Sequence, residues 1–212
     1  MLVLFCAVRV FAQNGIITEL TGTVELKHSG QADFVPASAG DTVENNTIVS
    51  TGLKSTALIT AGSAVLTVRP LTRLSFSEIK SAAESETINV NLQTGRVRVD
   101  VTPPTGTKTE FTIRSPTTTA SVRGTSFEFD TQSINVLEGT VSFQGGGNQV
   151  MLVGAGSSSD IGANGKPADP IETYTASLLP PSPAGRDAGY RYIPASGISI
   201  PSGEIGFIID LR

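Results

Sequence analysis

Apolar residues in this chain return at every second position over short runs, and almost nowhere at helical spacing. In Arg96-Val97-Arg98-Val99-Asp100-Val101 three valines fall on one side while both arginines and the aspartate fall on the other. Thr87-Ile88-Asn89-Val90-Asn91-Leu92 alternates in the same way. Such a period predicts half-buried strands. Leu20, Gly22, Val24 and Leu26 define a first strand, followed by an extended bridge at Asp33-Phe34-Val35-Pro36 and a turn at Ala39-Gly40-Asp41. Ile48 and Val49 lie in a strand that ends at Gly52. Ser55–Thr60 and Ala64–Val68 are joined by Ala61-Gly62-Ser63, a hairpin-length link containing glycine. Leu74 and Phe76 make a short strand after Pro70. Ser77 to Glu86 has no apolar stripe and reads as an exposed loop or single turn, which places Glu84 and Glu86 in solvent. Beyond the turn Pro103-Pro104-Thr105-Gly106, Phe111 and Ile113 carry a returning strand. Ile134 and Val136, Thr140–Phe143 and Gln149–Val153 carry the last ones, and Gly154-Ala155-Gly156 ends the β region.

One stretch breaks the alternation. From Ser115 to Asp130, Phe127 and Phe129 share a face, but counting back by twos puts Arg123 on that face instead of Val122. Burying Val122 with the phenylalanines takes one extra residue, and Gly124 is where a bulge costs least. The expectation is a single bent strand in the middle of the domain. Glycine followed two residues on by valine recurs at Gly22/Val24, Gly95/Val97 and Gly139/Val141. The spacing is too irregular for a repeat array. It suggests strands entering one core at similar corners.

The fold class is all-β: many short strands in a two-sheet sandwich or a rolled, solenoid-like sheet. A parallel sheet would need crossover helices, and none are evident. The inward set is Val97, Val99, Val101, Phe111, Ile113, Phe127, Phe129, Val136 and Val141.

Composition adds limits. The chain has 212 residues, 16% charged, with a net charge of −4. Its 15 basic residues are scattered, so nucleic acid is not expected as a partner. Residues 1–12 are apolar and end in Val10-Phe11-Ala12, resembling a signal-peptidase site, so an export signal, truncated at its start, is expected there. The alternative is a first strand. Cleavage after Ala12 would remove Cys6, the only cysteine. No transmembrane span is expected in the mature chain. Residues 13–162 form the β domain, and 163–212 a Pro/Gly-rich extended tail. The tail's apolar end, 206–211, is expected to pair with a sheet edge of this domain or of a partner.

With the strands placed, the pattern resembles the FecR-domain family of exported bacterial proteins. The carriers are Ser115-Pro116, then Ser121-Val122-Arg123-Gly124-Thr125 with Phe127, then Val136-Leu137-Glu138-Gly139-Thr140-Val141 and Ala155-Gly156. Gly40-Asp41, Ser50-Thr51-Gly52 and Leu92 with Thr94-Gly95-Arg96-Val97 match earlier elements, and coverage is Leu20 to Ile161. The resemblance implies a module of the periplasm or outer envelope. Inner-membrane regulators of the family control a sigma factor through a cytoplasmic segment and hear from an outer-membrane transporter. This chain is expected to be a stand-alone domain lacking that segment.

The motif residues Val122, Arg123, Gly124, Thr125, Phe127, Glu138, Gly139 and Val141 are read as structural. Arg123 is expected to be tied to carbonyls or to Glu138 or Glu128, holding the bend. The competing reading makes it a partner-binding guanidinium. His28 is the only histidine and precedes a turn, so neither a histidine metal site nor a serine triad is supported. Gly154-Ala155-Gly156 lacks a third glycine and a following helix, so it is a strand exit and not a dinucleotide loop. Asp160 to Ile171 departs from a calcium loop at its ligand positions. No catalytic, cofactor or metal residue is assigned. The expected function is non-enzymatic: a protein-binding, signalling or scaffolding module whose partner is another envelope protein, such as an outer-membrane protein. A cell-wall or glycan-binding module is the alternative, weakened by the lack of Trp.

Overall fold

The computed structural model describes residues 11–12, 14–82, 84–147 and 149–170. These form 18 strands in two sheets, with essentially no helix and no closed barrel. In chain order the strands begin with β1 (Phe11–Ala12), β2 (Gly15–Thr21), β3 (Val24–Lys27), β4 (Val35–Pro36), β5 (Thr42–Val43) and β6 (Ile48–Thr51). Next come β7 (Thr56–Ala61), β8 (Ala64–Val68), β9 (Arg73–Ala82), β10 (Ser85–Thr94), β11 (Arg96–Val101) and β12 (Lys108–Arg114). The last six are β13 (Thr118–Val122), β14 (Ser126–Asp130), β15 (Ser133–Glu138), β16 (Thr140–Gly145), β17 (Val150–Gly154) and β18 (Ser158–Asp160).

The ten-stranded sheet runs β17-β16-β13-β12-β10-β9-β6-β3-β4, with β1 added antiparallel beside β9. The eight-stranded sheet runs β18-β15-β14-β11-β8-β7-β2-β5. Their inward faces share one apolar core, in which all nine residues of the inward set are buried. Phe111 of the larger sheet meets Phe127 of the smaller one edge to face, with ring centroids 6.2 Å apart.

The chain repeatedly leaves one sheet and enters the other, and this corrects several sequence-based expectations. Ser115–Asp130 is not one bent strand: β13 belongs to the larger sheet and β14 to the smaller. Arg123-Gly124-Thr125 is the corner between them. Val122 and Phe127 therefore face the same core from opposite sides, which resolves the phase change without a bulge. The irregularity nearby lies opposite Ser126 and Phe127, where Leu137 is the extra residue in β15. The expected first strand likewise divides at Gly22 into β2 and β3, one in each sheet. Ser77–Glu86 is no loop, since β9 and β10 form a long hairpin through it. The β region also runs past Gly156 into β18.

One pair is parallel. Ser85–Asn91 of β10 lies beside Lys108–Arg114 of β12 in the same direction. The crossover is a strand, β11, which passes through the opposite sheet and does the job usually left to a helix.

The three Gly-x-Val glycines all sit at corners. Gly22, Gly95 and Gly139 have φ of 77°, 90° and 81°, a region that favours glycine. Each abuts a buried hydroxyl residue at another corner: Ser55, Thr72 and Thr125 respectively. The residue after each glycine bonds to that hydroxyl. Thr23 N donates to Ser55 Oγ at 2.8 Å, Arg96 N donates to Thr72 Oγ1 at 3.0 Å, and Thr125 Oγ1 donates to Thr140 O at 3.3 Å. Corners are thus packed in pairs, glycine against hydroxyl.

Most of the expected export signal, residues 1–10, lies outside the described residues, as does the tail from 171 with its apolar end. Among the described residues no helix is long and apolar enough to cross a membrane.

Candidate functional site

Two surfaces collect charged groups, and they differ in whether those charges are already spent on one another. On the outer face of the smaller sheet, cross-strand register sets Arg96 opposite Asp130 and Arg98 opposite Glu128. Arg96 reaches Asp130 at 3.2 Å, Arg98 reaches Asp100 at 3.2 Å, and Arg69 crosses to Glu128 at 2.6 Å. Ser126 Oγ also donates to Asp100. Burial alone would raise the Asp100 carboxyl, but the Arg98 and Ser126 hydrogen bonds outweigh it and hold Asp100 below its ordinary value. Bonding to Asp100, and then the charges of Glu128 and Glu138, raise Arg98. A cleft of about 660 Å³ lies beside Arg69, Arg96, Glu128 and Asp130. Its cations and anions neutralise each other, so it offers little unsatisfied charge to a ligand.

The corner between β13 and β14 is different. Arg123 is exposed and hydrogen-bonds to no described residue. Neither expected acid holds it: the Glu128 carboxylate pairs with Arg69, and Glu138, exposed on the neighbouring corner, makes no hydrogen bond to Arg123. This corrects the expectation that Arg123 pins the bend. The backbone pins it instead, because Val101 and Thr125 exchange N–H···O bonds of 3.0 and 3.2 Å. Gly124 adds to this with φ 155°, and a Cβ there would sit 3.1 Å from Pro103 Cδ.

Arg123 stands between two clefts. One, of about 500 Å³, is shared with Lys108, Glu110 and the threonines 87, 107 and 109. The other, of about 330 Å³, is shared with Glu110, Ser121, Ser142 and Leu152. Extending the antiparallel register of Phe111 with Val122 by one residue sets Glu110 across from Arg123. The guanidinium keeps its five donors available in a fixed fork, which suits a carboxylate presented from outside.

Sequence reasoning placed Glu86 in solvent, and the structure buries it to 5% exposure. It accepts from Ser63 N at 3.1 and 3.2 Å, from Ser63 Oγ, and from Thr109 Oγ1 at 3.3 Å. The carboxylate fills the space above Gly62, so it clamps the β7–β8 turn. The missed signal is the alternation itself: Glu86, Ile88, Val90 and Leu92 share one phase, which placed Glu86 inward. Ser63 and Glu86 make a hydroxyl–carboxylate pair with no imidazole among their bonded partners. A carboxylate is too weak a base to activate a serine by itself. His28 lies where its chain turns, its carbonyl accepting from Gln31 N at 3.1 Å. Among the described residues no three His, Cys, Asp or Glu side chains gather to hold a metal ion.

Of the motif residues, Val122, Thr125, Phe127 and Val141 are buried, while Arg123, Gly124, Glu138 and Gly139 reach the surface around one pair of corners. The structure thus brings the two motif segments together.

Residues 47–142 match the FecR protein family, a segment running from the turn before β6 into β16 and containing every one of these motif positions. The resemblance traced on motifs, Leu20 to Ile161, is wider than this match. Two solved structures of a candidate anti-sigma factor from Parabacteroides distasonis ATCC 8503 are similar to the chain, with 18% and 17% identity and TM-scores of 0.46. They are matched over 62% of this chain and over 63% and 64% of theirs, so the chain spans under two thirds of those relatives. No curated protein matches by sequence.

Proposed function

We propose, from a chain whose residues 47–142 are a FecR domain, that it is a non-enzymatic protein-binding module of a regulatory kind, exported to the bacterial cell envelope. It recognises a carboxylate on a partner protein through the corner at Arg123. The observation that carries this reading is an exposed guanidinium, bonded to no described residue, on a corner held rigid by backbone bonds and glycine packing. Among the described residues Arg69, Arg96 and Arg98 pair with acids, whereas Arg123, like Arg114, does not. Arg123 differs from Arg114 in lining two clefts. The apolar leader ending Val10-Phe11-Ala12 supports export.

The test is affinity capture from an envelope extract, run beside binding to isolated peptidoglycan, with wild type and Arg123→Ala. Thermal melts of both proteins accompany it. The expected result is a protein captured by the wild type and lost with Arg123→Ala, at a melting free energy changed by less than about 0.5 kcal/mol. Equal capture by both, or binding to peptidoglycan alone, overturns the reading. Mass spectrometry of the protein from its host should show a chain starting near Gln13, and an intact chain retaining Cys6 would remove the export part.

A further inference from the structure

Each sheet has two outer strands, and three of these four edges are short or blocked. β4 is two residues long and ends in Pro36, which has no N–H to give. β5 is also two residues, flanked by Asp41 and Glu44. β18 is three residues, ends at Asp160, and is followed by the bridge between Ile161 and Pro167. Short length, proline and charge are the usual ways in which a sheet avoids adding a further strand.

β17 uses none of them. It is five residues long, Val150-Met151-Leu152-Val153-Gly154, and among the described residues it pairs only with β16. No residue between Glu138 and Asp160 is charged, so the strand next to the edge is neutral as well. Val150 and Leu152 stand 53% and 69% exposed on its outward side. An edge that is long, apolar and without charge is a template for another strand.

We propose that β17 is the interface between two copies of this chain, joined antiparallel about a twofold axis near Leu152. Such an axis turns each strand onto itself, so every side chain meets either its own counterpart or one equally distant along the strand. A charge there would face a like charge; β17 and β16 carry none. With the axis at Leu152, the two Leu152 side chains cover each other. Val150 lies opposite Gly154 of the second copy, where the lack of a side chain leaves it room. The two larger sheets become one continuous sheet across the dimer. Leu152 also lines one of the two clefts beside Arg123, but the strand edge and the guanidinium are different groups. Self-association that survives Arg123→Ala, or partner capture that survives Leu152→Thr, tells the two contacts apart.

Sedimentation velocity on the full chain over a concentration series tests it. The wild type should pass from monomer to dimer, and Leu152→Lys should weaken self-association by at least about tenfold, since each copy then sets a cation against its own counterpart. Leu152→Thr keeps a strand-forming residue while removing the apolar contact, and should weaken association with an unchanged melt. In a Cys6→Ala background, Leu152→Cys should give a disulfide-linked dimer on oxidation, whereas Thr67→Cys on the outer face of the other sheet should not. A wild type that stays monomeric throughout overturns the proposal. So does cross-linking that is equal at both positions, or a dimer indifferent to both Leu152 substitutions.

Discussion

Gly139 is pressed against Thr125: a side chain on Gly139 would begin 3.0 Å from the Thr125 hydroxyl and 2.9 Å from the Gly124 carbonyl oxygen. The two family motifs, Arg123-Gly124-Thr125 and Glu138-Gly139-Thr140, are therefore one packed unit made of two corners. Gly139→Ala meets backbone on one side and demands φ near 81° on the other. It should destabilise by more than about 1 kcal/mol. Gly146 has open space around it, so Gly146→Ala should be within about 0.5 kcal/mol of the wild type. Urea melts of the two variants make the comparison, and equal midpoints would remove the corner-packing argument.

The acid in the β7–β8 turn gives a second contrast. Glu84 is exposed and Glu86 is buried on three donor groups of Ser63 and Thr109. Glu86→Ala leaves those donors without their acceptor and should cost about 1–3 kcal/mol or more. Glu84→Ala should change stability by less than about 0.5 kcal/mol. The same melts decide it: similar losses for both would return Glu86 to the solvent.

Phe127 is fully buried and bridges the two sheets through Phe111. Phe127→Ala should cost about 3–5 kcal/mol, the range for removing a buried aromatic ring. A melt coinciding with the wild type would mean that β14 does not face the core.

Acid should weaken the protein in a defined direction. Burial acts to raise Asp130, but the amides of Gln132 and Ser133, the Ser133 hydroxyl and Arg96 together hold it below its ordinary value of 3.8. Asp100 is lowered in the same sense. A carboxyl with a lower pKa in the folded than in the unfolded chain stabilises fully above the unfolded value, about 4, and loses that contribution as the pH falls through the folded one. Asp130→Asn should therefore lower stability at neutral pH, with the gap to wild type closing below about pH 4. Chemical denaturation at a series of pH values reads the gap, and a difference that is constant with pH would show that the Asp130 charge has no part in it.

Much of the strand content was legible along the chain because alternation reports which side chains face inward. Val97, Val99 and Val101, then Phe127 and Phe129, were placed on the core side by period alone, and each is there. The corner glycines 22, 95 and 139 were legible too, since a recurring glycine before an inward valine marks a sharp entry into a core. What alternation cannot carry is the sheet that each strand joins. Both sheets face one core, so a strand of either shows the same pattern. The assignment of β13 to one sheet and β14 to the other is made by contacts far apart in sequence, such as Phe111 with Val122 and Val99 with Phe127. The parallel pairing of β10 with β12 has the same origin. Side-chain partners were decided in the same way. Arg123 was expected to be tied to carbonyls or to Glu138 or Glu128, but Arg69 takes the Glu128 carboxylate and Arg123 is exposed without a bond to any described residue. Glu86 read as a loop acid until the β9–β10 hairpin carried it beneath the Ser63 amide. A strand's own residues determine its inward face, and only the assembled sandwich determines which donors and acceptors come within bonding distance.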